Sequence, residues 1–111
     1  MIRWRVWTST KTEEKARLVL HRLLSDFPTE PLGLVVEPYP KTDGHRLTFS
    51  TASAAERWSD LISEALTLAE VVGHEWQLTG SAASDLGGWS NKPSAAGAVS
   101  VSWEAERGEL L

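Results

Sequence analysis

Three histidines, fifteen carboxylates and a scatter of serines are the groups in this chain that could do chemistry, and there is no cysteine beside them. His21, His45 and His74 fall on a helix, a turn and a strand start. No pair of them has the His-x-x-x-His or comparable spacing that brings two metal ligands together. They read as surface or boundary residues. A serine nucleophile needs a base and an orienting acid, and no Gly-x-Ser-x-Gly elbow is present. Nothing in the spacing of the carboxylates singles out a pair for acid–base work. The glycine-rich stretch 80–97 lacks both phosphate-loop patterns, and no helix clearly follows it. The missing cysteines remove disulfide scaffolds, thiolate zinc sites, iron–sulfur clusters and thiol nucleophiles. No enzymatic activity, metal or cofactor is therefore expected, which leaves contact with another molecule.

Candidates for contact are acidic or aromatic. Glu56, Asp60 and Glu64 recur every four residues along the second expected helix, where like charges repel and no lysine on the helix offsets them. The strip reads either as a solvated face or as a docking strip for a basic protein. Within 80–97, Asp85 and Trp89 stand in a run with no periodicity, Trp89 between Gly87-Gly88 and Ser90-Asn91. A connection of this length is uncommon in a compact domain. Trp89 could anchor an interface or fold back to plug the open end of a sheet. Of six tryptophans, Trp4, Trp58, Trp76 and Trp103 are in phase with apolar stripes, while Trp7 is out of phase and joins Trp89 as a contact candidate.

Charge is divided along the chain. Residues 1–50 hold eight bases and six acids (+2), and residues 51–111 hold three bases and nine acids (−6), which together give the net −4. An acidic chain is a poor generic binder of nucleic acid, and its acidic half suits a basic partner. With 41% hydrophobic and 23% charged residues, wholesale disorder is not expected. No apolar run approaches the roughly 18 residues that span a bilayer. No apolar stretch follows Met1, so a secretory signal is not expected.

These groups must be positioned by elements that the pattern also predicts. Ile2, Trp4 and Val6 alternate as a first strand. Thr10 and Glu13 form a capping box for a helix burying Ala16, Val19, Leu20, Leu23, Leu24 and Phe27, which Pro28 and Pro31 end. Leu32, Leu34 and Val36 alternate as a second strand. The turn signal Asp43-Gly44 leads into a third strand over Arg46–Ser50. Ser53 and Glu56 form a second capping box, before a helix burying Trp58, Leu61, Ile62, Ala65, Leu66 and Ala69 that Gly73 stops. A fourth strand falls at Glu75-Trp76-Gln77-Leu78 and a fifth at Val99, Val101 and Trp103.

The order βαββαβ plus one strand predicts an α+β fold, a ferredoxin-like split βαβ sandwich with two helices on one face of an antiparallel-containing sheet. Its core would take Trp4, Val6, Leu34, Val36, Leu47, Phe49, Trp76 and Leu78. The opposite face would show Arg3, Arg5, Trp7, Val35, Arg46, Thr48, Gln77 and Thr79. Residues 1–111 read as a single domain with 105–111 as a frayed tail. Direct RNA binding on the open face is not favoured, because Thr48 and Ser50 stand where stacking rings would be needed.

Taken together, the small acidic cysteine-free chain, the tryptophan-rich α+β pattern, the acidic helix (Glu56, Asp60, Glu64) and the late strands Glu75-Trp76-Gln77-Leu78 and Val99-Ser-Val-Ser-Trp103 resemble bacterial immunity proteins of contact-dependent growth inhibition and polymorphic-toxin systems. The resemblance covers residues 2–104. It implies a cytoplasmic monomer or weak homodimer that binds the C-terminal domain of a cognate toxin, often a basic nuclease, and occludes its active or substrate-binding site. Neither nucleic acid nor membrane is a direct partner on that reading, and Glu56, Asp60, Glu64, Asp85, Trp89 and Trp7 are the expected contacts. The competing expectation is a regulatory or oligomeric domain that uses its open sheet face. An inhibitor of phage type would share the acidic composition.

Overall fold

The alternation at the N-terminus is realised in the computed structural model, which describes residues 1–81 and 83–111, as strand β1 (Ile2–Thr8). Ile2, Trp4, Val6 and Thr8 are buried along one side of it. Thr8 is accommodated there because its hydroxyl pairs with that of Thr10 at 2.7 Å. That pairing moves the start of the first helix. With Thr10 committed to Thr8, the expected Thr10–Glu13 capping box does not form. Thr12 caps helix α1 (Glu13–Leu23) instead, its hydroxyl accepting from the Lys15 N–H at 3.2 Å. The helix also stops short of Phe27. A turn closed by the Phe27 N–H on the Leu24 carbonyl (3.0 Å) still returns that ring to the core, edge-on to Trp4 at 5.4 Å.

Strands β2 (Leu32–Tyr39) and β3 (Gly44–Thr51) form a hairpin around a 3-10 turn over Pro40–Thr42. β2 is an outer strand, so Leu34 and Val36, expected in the core, are only half-buried. Gly44 enters β3 against the end of β1, where a Cβ would lie 1.9 Å from the Thr8 carbonyl oxygen and 2.9 Å from the Ser9 Cα. Both obstacles are backbone, so Gly44→Ala must displace the β1–β3 pairing. The expected loss is about 1–3 kcal/mol, the usual range for overpacking. A urea unfolding curve superposing on that of the parent chain would refute this.

Helix α2 (Trp58–Val72) begins after Arg57 rather than at Ser53. The Ser53 hydroxyl accepts from the Ala55 N–H at 3.1 Å and donates to the Glu64 carboxylate, so the Ser53–Glu56 box does not form. A first-turn donor of α2 is satisfied from elsewhere: the Leu111 carbonyl oxygen accepts from the Trp58 N–H at 2.7 Å. Leu68 and Val72 take buried positions on α2, while Leu66, expected inside, is 37% exposed and Ile62 half-buried. Gly73 ends the helix as expected, in extended backbone that continues into β4 (Gly73–His74).

Beyond α2 the chain departs most from expectation. Glu75 takes a left-handed conformation (φ +53) and Trp76 folds back, its indole N–H donating to the Ala69 carbonyl at 3.0 Å. The next strand is therefore β5 (Gln77–Ser81), not 75–78. Residues 80–97 are not a structureless loop but hold β6 (Asp85–Ser90) and the short β7 (Lys92–Pro93), before β8 (Ala98–Glu106). Trp76 is half-buried and Leu78 is exposed, which corrects both core assignments. Val99 is turned outward because it is the extra residue of a bulge: Trp7 faces Ser100 and Thr8 faces Ala98.

The strands form an open antiparallel sheet of six in the order β2-β3-β1-β8-β6-β5, with β4 and β7 paired separately. The fold is thus α+β with two helices. α1 packs on β1, β2 and β3, and α2 packs on β8. Between helices and sheet lies one core, centred on Trp4, Phe49, Leu47, Trp58, Val101 and Trp103. The C-terminal residues are not frayed. Arg107 donates to the Leu110 and Ala83 carbonyls at 3.0 Å each, its N–H bonds the Ser84 carbonyl at 2.7 Å, and Leu110 packs against the core. Among the described residues no helix is long and apolar enough to cross a membrane.

Candidate functional site

The residues of alternate phase in each strand project from the sheet face that the helices leave uncovered. Registers align Val35, Thr48, Arg5, Ser102, Trp89 and Gln77 in one row across it. The face has two halves of different character. On the β2–β3–β1 side, the Arg46 guanidinium bonds Glu37 (Nε to Oε1, 2.9 Å) and lies 5.6 Å over the Tyr39 ring. Tyr39 in turn meets Trp7 edge-on at 6.3 Å. These groups occupy one another, so Trp7 is half-buried by its own neighbours.

On the β8–β6–β5 side the surface is indented. Asp85, Gly87 and Trp89 share the open face of β6, and Gly87 contributes no side chain to its row, Arg3, Glu104, Gly87 and Thr79. A Cβ there would stand 2.9 Å from the Trp103 carbonyl oxygen, so glycine permits the close β6–β8 approach. The result is a cleft of about 270 Å³ lined by Thr79, Asp85, Gly87, Trp89, Glu104 and Glu106. Trp89 is 39% exposed on its rim. Glu104 is bridged by Arg3 at 2.8 Å, a pair about half exposed and so of small energetic weight. Asp85 accepts from the Ser84 hydroxyl at 3.0 Å. An indole beside three carboxylates in an open cleft can cover an apolar group and meet positive charge.

The neighbouring Gly88 points to the helix side. A Cβ on it would lie 2.9 Å from the Trp103 Nε1 and 3.1 Å from the Leu78 Cδ2, so the gap at Gly88 is filled from both sides. The Trp103 Nε1 is buried and, among the described residues, has no hydrogen-bond partner.

Of the six contacts expected from the sequence, the fold brings Asp85 and Trp89 onto one strand face and sets Trp7 on the same face two strands away. Asp60 and Glu64 lie on α2 instead, and Glu56 in the segment that leads into it. They do not make one helical strip, because Glu56 precedes α2 and the half-buried Glu64 carboxylate is taken by Ser53. Asp60 sits exposed in the first turn of α2, where the helix dipole favours a negative charge. Glu104 and Glu106 belong to the cleft and were not singled out by sequence reasoning. Their signal was their alternation with Trp103 and Ala105 on a strand longer than expected.

Among the described residues no group of three or more His, Cys, Asp or Glu side chains could hold a metal ion. His45 bonds the Thr10 carbonyl through Nδ1 at 3.0 Å, while His21 and His74 are exposed. Comparison with protein-family models, curated proteins and solved structures found no match to this chain.

Proposed function

We propose that this chain is a non-catalytic inhibitor of immunity type, which binds a basic toxin domain and blocks access to its active or substrate-binding surface from the cytoplasm. One observation carries the reading. Trp89 stands exposed on the open sheet face, next to a cleft bordered by Asp85, Glu104 and Glu106. A buried aromatic anchor ringed by charge is the arrangement from which interface affinity and specificity arise. A nuclease surface built to grip phosphate offers the complementary charge. The frame for this surface is a split βαβ in which β2, β3, β1 and β8 take the ferredoxin-like positions and β5–β6 extends the sheet at one edge.

The test uses the tagged chain as bait at low and high salt, beside an Asp85→Lys/Glu106→Lys double variant and Asp60→Lys. The expected result is one basic partner domain retained by the parent and by Asp60→Lys and released by the double variant. Expression of that captured domain is expected to stop growth unless this chain is co-expressed. Equal retention by all three baits would remove the cleft from the interface. A chain that recovers only itself, as a dimer through the sheet face, would favour a regulatory or oligomeric domain.

A further inference from the structure

The two edges of the sheet are built differently. β2 carries the devices that discourage further pairing: a register irregularity between Leu32 and Val35 with Gly33 at φ +63, a charge at Glu37, and Pro38. β5 has no such register irregularity, charge or proline. Gln77-Leu78-Thr79-Gly80-Ser81 contains no charge and no proline, and all five residues are exposed, Leu78 to 52%. Gly80 takes φ +101 as the strand nears its turn, so the straight run open to a partner is Gln77–Thr79. An edge strand presents unpaired N–H and C=O groups at alternate residues. This edge also borders the cleft, to which it contributes Thr79.

We propose that a partner docks here by strand addition: an extended segment with basic side chains at alternate positions pairs along β5 and lays those side chains over the Gly87 gap toward Asp85, Glu104 and Glu106. The proposal rests on the reading of this face as a protein-docking surface, and it names the partner's chemistry. Register supplies the complementarity. A residue added beside Thr79 continues the row through Gly87 to Glu104, with Asp85 and Glu106 in the next row on the same face. An added strand lies about 10 Å from β6, two strand spacings away. A lysine or arginine passing over the small Thr79 side chain and an Asp85 carboxylate close that distance between them, while Glu104 and Glu106, one strand spacing further across the side-chain-free Gly87, add negative charge at longer range. On the other face the intervening residues of the added strand cover Leu78, which favours apolar types there. Main-chain bonds would supply affinity and the alternating rows specificity.

The probe is a short synthetic peptide of alternating Arg and Val with blocked ends, added to the full chain and followed by amide exchange and chemical shift. Among Gln77, Leu78 and Thr79, the amides that point away from β6 are expected to exchange about tenfold or more slowly with peptide bound, as new main-chain hydrogen bonds form. N-methylation of the peptide's pairing edge should weaken binding about tenfold or more at unchanged charge. An alternating Glu and Val peptide should not bind. Thr79→Pro should abolish peptide protection, and proline is tolerated on edge strands, so the chain should still fold. The N-methylated peptide provides the same decision without a variant. Equal binding of that peptide, protection along β2 instead, or a β5-paired dimer of the chain without peptide would each overturn the proposal. Shifts at Trp89 and Asp85 without protection on β5 would overturn strand addition and leave the docking face standing. No shifts on that face would overturn both.

Discussion

Trp4→Ala is expected to cost about 3–5 kcal/mol, the range for truncating a buried tryptophan, and to leave the chain largely unfolded near body temperature. Trp4 is 1% exposed at the centre of the sheet, between Phe49 on β3 and Trp103 on β8. Its ring meets Phe27 edge-on at 5.4 Å, and that contact fastens the segment after α1 to the core. The indole N–H also donates to the buried Thr51 hydroxyl at 3.0 Å. Truncation thus opens a cavity between two strands and a helix and strands a buried hydroxyl, a further penalty of about 1–3 kcal/mol where no water enters. Domains of this size are stable by only about 5–15 kcal/mol. Urea unfolding should show a lower midpoint at unchanged slope, and a midpoint within experimental scatter of the parent would mean that the core closes around the gap.

At the exposed tryptophan the effect should fall on binding and spare folding. Trp89→Ala is expected to weaken the complex with the captured partner by about 2 kcal/mol or more, roughly thirtyfold, as for an aromatic hot spot. The ring is 39% exposed and lies outside the core, so the unfolding curve should barely move. Trp7→Ala is the informative contrast. Its ring packs edge-on to Tyr39 beneath the Arg46–Glu37 pair, so its loss should register in stability more than in affinity. Calorimetric titration of both variants separates the two roles. Unchanged affinity for Trp89→Ala would take this cleft out of the interface.

Legibility of the fold followed the strength of local periodicity. β1, α1, the β2–β3 hairpin and α2 carry long apolar repeats, and each was readable from its side chains alone. The β5–β6 hairpin was not. The inward positions of β6 are Leu86, Gly88 and Ser90, and two of the three supply no apolar signal, so a real two-residue alternation looked like a loop. Both capping boxes satisfied their sequence pattern and failed because their hydroxyls had other partners: Thr10 bonds Thr8, two residues away and turned inward at the end of β1, and Ser53 bonds Glu64 on α2. The second of these depends on residues brought together by folding and leaves no local trace, while the first follows from the burial of Thr8. The cleft was half legible. Asp85 and Trp89 stood out by type and setting, whereas Glu104 and Glu106 join them only because β8 lies between β6 and β1.

The place of β8 has a consequence for how the chain is made. β1 is translated first and β8 last among the strands, yet they are central neighbours, joined from Arg3–Glu104 to Thr8–Ala98. Before β8 emerges, the nascent chain holds two separate pieces, β2-β3-β1 and the β6-β5 hairpin, with no strand to bridge them. A two-stranded hairpin alone is marginal in water. Assembly of the sheet therefore waits for translation of the final strand, and contacts spanning nearly the whole chain make that step slow relative to local folding. During that interval the inner faces of Trp4, Val6 and Phe49 stay uncovered on the β8 side. A nascent chain stalled before Ala98 is thus expected to be a substrate for chaperones and proteases, and one in which β8 has paired is not.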